Sequence, residues 1–171
     1  MKWEQFLNDP ELNVAGKYHS PPDGDYLFRK VVHDVLECLN AYKAYLEIAP
    51  KTNDGDIPDA TFERLNRWSS VVEEWTEKVR SLAMTHPGKY PTTDPEWANL
   101  IGEIASIVET TPIFKNEISS LTLPGHGKTR EMIESAIKQT IKLELIRQDI
   151  QNQEYKRLWT ITQYGDLVDG D

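Results

Sequence analysis

Cysteine is almost absent from this chain. Cys38 stands alone, so no internal disulfide can staple the fold. Histidine is scarce as well: His19, His33, His86 and His126 are scattered, with no second histidine or cysteine at ligand spacing. That excludes a recognisable zinc motif, and no metal or other cofactor is expected. No apolar run approaches the roughly 18 residues that suggest a membrane span, and the first residues lack the charged, apolar, small-residue order of a signal peptide. The expectation is a cytoplasmic protein with no membrane partner. Positive charge is in deficit too, with 19 basic against 28 acidic residues and a formal net charge of -9. The chain as a whole repels a polyanion, so nucleic-acid contact would need a local exception.

What is present suffices for a core, since 171 residues at 39% hydrophobic content can fold without staples. Three turn-rich stretches, SPPDGD (20–25), APKTNDGDIPD (49–59) and MTHPGKYPTTDPEW (84–97), divide the sequence. Between the first two, Phe28, Val32, Val35, Leu36, Leu39, Tyr42 and Leu46 recur at helical period. The next segment, capped by Asp59 or Thr61, carries two seven-residue series, Leu65, Val72, Val79 and Trp68, Trp75, Leu82. These segments predict an antiparallel helical hairpin within a region spanning 1–90. A two-helix hairpin alone buries little, so Leu65, Trp68, Val72, Trp75, Val79 and Leu82 are also candidates for a homodimer interface. WEQFLND near the N-terminus predicts a short helix packing back through Trp3, Phe6 and Leu7.

The second half, 91–171, opens with Asp94 as N-cap and Pro95 in the first turn. Trp97, Leu100, Ile101, Ile104, Ile107 and Val108 then share one helix face. Pro112 limits that helix. A short helix follows in IFKNEISSL, expected to bury Ile113, Ile118 and Leu121. A turn at TLPGHGK leads into a long helix with Ile133, Ile137, Thr140 or Ile141, and Leu145 inward. IRQDIQ and EYKRLWTIT then alternate as strands about a turn at Asn152 and Gln153.

Helix, short helix, long helix and a hairpin closed by WTITQYG (159–165) resemble the winged helix-turn-helix domains of bacterial and archaeal DNA-binding regulators, over about residues 96–168. Ile133, Ile137, Thr140, Glu144, Leu145 and Ile146 fall at that family's offsets. Glu144 stands where the family has a turn glycine, and Thr140 where it has an apolar residue. The expected fold is mainly α: an N-terminal helical hairpin followed by a winged helix-turn-helix of three helices and a β-hairpin wing. The resemblance implies a DNA-binding role, as a small transcriptional regulator or a replication or partition accessory factor, with double-stranded DNA as partner. Lys128, Thr129 and Arg130 would meet phosphate near the helix N-terminus. Ser135, Lys138, Gln139 and Lys142 would face the groove, and Gln151, Asn152, Gln153, Lys156 and Arg157 would form the wing's contact. Basic residues between 115 and 157 slightly outnumber the acidic ones, which is the small local exception required.

The overall acidity supports an alternative, an acidic winged-helix module that binds a protein with a basic surface or imitates DNA. No enzyme is expected. GHGKT (125–129) lacks the glycine a phosphate loop needs, because that position is Thr122. Cys38 lies in an apolar stripe, and Glu73 and Glu74 point apart on a helix.

Overall fold

Asp23 closes the first turn-rich stretch by accepting from the backbone N–H groups of Asp25 and Tyr26, and from this cap α1 (Gly24–Ile48) runs for 25 residues. The computed structural model describes residues 6, 8–18, 23–52, 57–86, 88 and 95–168, with residues 154–168 as backbone alone. Four more helices follow: α2 (Asp59–Thr85), α3 (Pro95–Ile107), α4 (Thr111–Ser119) and α5 (Lys128–Val168). Short 3-10 turns lie at Pro10–Leu12 and Ala49–Lys51. No helix among the described residues is long and apolar enough to cross a membrane.

The stripes read from the sequence point inward. Phe28, Val32, Val35, Leu39, Tyr42 and Leu46 of α1 are buried, as are Leu65, Trp68, Val72, Trp75 and Val79 of α2. One apolar cluster takes residues from all five helices and from Leu12, Val14 and Tyr18 of the N-terminal segment. At its centre Phe114 of α4 stacks on Trp68 with ring centroids 3.6 Å apart, and also meets Tyr42 at 4.9 Å and Trp75 edge-on at 6.0 Å. Of the residues expected inward here, Ile118 and Leu121 are buried, and Phe114 takes the place expected for Ile113. Phe114 and Ile118 are buried, whereas Ile113 is 63% exposed.

The winged helix is not formed. There is no β-strand among the described residues, and the stretch expected to make the hairpin lies inside α5, a single helix of 41 residues. Ile146, Gln148 and Ile150 alternate, but Leu143, Ile146 and Ile150 are also spaced i, i+3, i+7, and all three are buried. The helical period prevails because it buries them together. Nothing interrupts the helix at the expected turn, since Asn152 and Gln153 offer no glycine and Arg147 donates to Gln151 Oε1 across one turn at 2.7 Å. Glu144 does not make a turn either: its carboxylate meets Lys115 Nζ of α4 at 2.9 Å.

Smaller expectations also shift. Asp59 is the first residue of α2 and Thr61 is buried within it; Pro58 holds the cap position without a side-chain bond. Asp94, Trp3 and Leu7 lie outside the described residues, while Phe6 packs half-buried on the core. The turn before α5 depends on Gly127, whose φ of 103° is the left-handed region that side chains avoid.

These placements separate two substitutions in adjacent residues. Phe114→Ala is expected to cost about 3–5 kcal/mol and Ile113→Ala within about 0.5 kcal/mol, read as midpoint shifts in urea unfolding. Equal costs would contradict the phase of α4.

Candidate functional site

Along α1, Glu37, Ala41 and Tyr45 follow one another at one-turn spacing, and on α5 Ser135, Lys138, Gln139 and Lys142 do the same. The two rows face each other across a polar cleft of about 300 Å³, with Cys38 also in its lining and Glu11 contributed by the N-terminal segment. Ala41 leaves the space that a larger residue would fill. At the contact between the helices, the Cys38 thiol donates to the Gln139 backbone carbonyl at 3.1 Å and to Gln139 Oε1 at 3.3 Å. Burial pushes that thiol up to about 12, so it remains protonated and is a poor nucleophile near neutral pH.

The two lysines differ. Lys138 Nζ lies 2.7 Å from Asp9 Oδ2 and 3.1 Å from Glu11 Oε2, so the N-terminal segment already neutralises it. Lys142 is half-buried and makes no hydrogen bond or ion pair among the described residues. Asp9 acts on it only through space and Glu37 shares the cleft lining, so its ammonium group keeps donors for a bound acceptor.

Four of the residues assigned from the sequence to a DNA-facing surface, Ser135, Lys138, Gln139 and Lys142, therefore come together, but in a cleft between helices. Gln139 is buried. The others scatter. Thr129 is buried, with its hydroxyl 2.7 Å from that of Thr52. Arg130 donates to Glu134 Oε1 at 3.0 Å and to the Pro124 carbonyl at 2.9 Å. Lys128, Gln151 and Asn152 are exposed, and Gln153 borders a small void beside Tyr18, Leu27 and Trp97. Lys156 and Arg157 lie in α5, their side chains outside the described residues. Of the residues considered for dimerisation, Leu65, Trp68, Val72, Trp75 and Val79 are buried in the chain's own core, and Leu82 lies half-buried at its edge.

Sequence reasoning missed Glu11, Glu37, Ala41 and Tyr45. The i, i+4 row on α1 was visible, but nothing in it says which helix it faces. On the same helix His33, Asp34 and Glu37 bring ligand-type atoms within 4.8 Å of one another. Asp34 is already engaged there by Lys17 Nζ at 3.1 Å and the Tyr18 hydroxyl at 3.3 Å, so an ion-pair cluster accounts for the grouping.

The Asp9–Lys138 contact has a defined pH window. The hydrogen bond from Lys138 lowers the Asp9 carboxyl from 3.8, aided by the Glu11 backbone N–H, and the bond to Asp9 raises Lys138 from 10.5. Asp9 contributes its stabilisation above its ordinary value and loses it as pH falls through the lowered one. Lys138 contributes below its ordinary value and loses it as pH rises through the raised one. Amide exchange at Leu12 and Val14, corrected for intrinsic rate, should be constant between about pH 5 and 9 and accelerate as pH falls below the ordinary Asp9 value of 3.8. Lys138→Ala should accelerate it throughout; exchange unaffected by that variant would remove the clasp.

Comparison of the chain with protein-family models, with curated proteins and with solved structures finds no match.

Proposed function

We propose that this protein is a non-catalytic binding module whose α1–α5 cleft receives a small organic anion. The observation that carries the reading is Lys142, half-buried in a polar cleft and making no hydrogen bond or ion pair among the described residues, so that a donor is left for a ligand. A carboxylate or phosphate group beside it gains a charge-assisted hydrogen bond, and Ser135 on the same wall supplies a further donor. Glu37 and Tyr45 on the α1 wall suit hydroxyl or amino groups on the rest of the ligand. The volume of about 300 Å³ is at the lower end for small-molecule sites, which favours a compact metabolite over a nucleotide. Supporting a binding role over catalysis, the cleft lining contains no histidine, and its one thiol is held protonated.

The test is titration of isotope-labelled protein with succinate, inorganic phosphate and, as a neutral control, glycerol, following amide shifts of residues 135–142. One of the anions should produce saturable shifts that glycerol does not, and Lys142→Gln should weaken them about tenfold or more. Glu11→Gln, which releases one partner of Lys138, should strengthen binding. Shifts that are identical in Lys142→Gln, or absent with both anions, reject the reading.

A further inference from the structure

One carboxylate joins the N-terminal segment to the cleft. Asp9 Oδ1 accepts from the Glu11 backbone N–H at 3.0 Å and so caps the turn at Pro10–Leu12, while Asp9 Oδ2 meets Lys138 Nζ at 2.7 Å. The shape of the turn and its hold on α5 therefore rest on the same group. Glu11 adds a second contact, 3.1 Å from the same ammonium, and it lines the α1–α5 cleft although its side chain is 57% exposed.

The two ends of this segment are held differently. Beyond the turn Leu12, Val14 and Tyr18 are buried, and Asp149 of α5 accepts from the backbone N–H groups of Gly16 and Tyr18. Those contacts need no lysine. At the tip Asn8, Pro10 and Glu11 are exposed, and Lys138 is the residue of α5 that holds Asp9 and Glu11. An ion pair as exposed as that of Glu11 is weak enough to exchange.

An anion entering the cleft meets Glu11 as a rival. Asp9 and Glu11 already give Lys138 two carboxylates, and Glu37 stands on the opposite wall. A further negative group crowds like charge into about 300 Å³, and the least costly relief is for Glu11 to swing into water. We infer that the Asp9–Leu12 turn is an autoinhibitory lid: its carboxylates hold Lys138 in place of ligand, and an anion bound in the cleft releases the turn. The inference rests on the anion-binding reading of the cleft and adds its regulation. Linkage makes the effect reciprocal, so the factor by which the lid weakens the anion is the factor by which the anion weakens the lid.

The Leu12 amide donates to the Asp9 carbonyl at 3.0 Å within the turn, so its hydrogen exchange reports the lid. Exchange is measured on the intact protein with succinate, with inorganic phosphate and with sodium chloride at matched ionic strength, alongside the amide shifts of residues 135–142. An anion that shifts those amides saturably should accelerate Leu12 exchange about threefold or more, while Tyr18, held by Asp149, stays unchanged. Chloride should do neither. The double variant Asp9→Asn, Glu11→Gln keeps a capping side chain at position 9 and removes both carboxylates. It should bind the anion about threefold tighter or more, and its Leu12 exchange should no longer respond to the anion. Saturable shifts with Leu12 exchange unchanged, or equal acceleration by chloride, overturn the lid and leave the anion site standing. Absence of shifts with both anions removes the anion site and the lid with it.

Discussion

A helix placed in the middle of a bundle must find a partner for every polar group it takes out of water, and α5 carries several. Thr129, Gln139, Glu144 and Asp149 are all buried. Each is met by a different part of the chain: Thr129 by Thr52 after α1, Gln139 by Cys38 within α1, Glu144 by Lys115 of α4, and Asp149 by the backbone N–H groups of Gly16 and Tyr18. Apolar packing alone would tolerate some sliding between helices. These contacts do not, because shifting α5 by a turn, about 5.4 Å, would strand four buried polar groups together. Position along α5 thus fixes the register of its neighbours.

That same arrangement explains what could be read in advance. The stripes of α1, α2 and α3 were legible because each presents one apolar face, and periodicity reports faces. On α5 the buried arc is too wide for such a pattern: Ala136, Ile137, Thr140, Ile141 and Leu143 are buried in close succession. With neighbours on several sides, the polar face that would betray a helix shrinks, and a short alternation near Ile146 can be mistaken for a strand. Glu144 misled for a related reason. A carboxylate reads as exposed or as a substitute for a turn residue, and only the distant Lys115 makes it an interior group. In α4, Ile118 and Leu121 were read correctly as inward, but Ile113 was not, because Ile113 and Phe114 are both apolar and the choice between them rests on Trp68, far away in sequence.

The cleft was half legible. Ser135, Lys138 and Lys142 were expected to share one outward side of the long helix toward DNA, and they share a side that faces α1. What the sequence withheld was the opposite wall, and with it the size of the space between the helices. A lysine row facing open solvent invites a polyanion, whereas this row faces Glu37 and Tyr45 across about 300 Å³. The N-terminal segment adds to this, because Asp9 and Glu11 engage Lys138 directly and leave Lys142 without a hydrogen bond or ion pair among the described residues.

The solitary thiol of Cys38 is held between α1 and α5 by its bonds to Gln139. In the closed bundle it is shielded and protonated, so a reagent such as iodoacetamide can reach it only when those two helices part. The chain therefore carries an intrinsic chronometer of its own breathing. Its alkylation rate, compared with that of an unfolded chain, measures how often the wall of the cleft opens, with no label introduced and no competing sulfhydryl to confuse the signal.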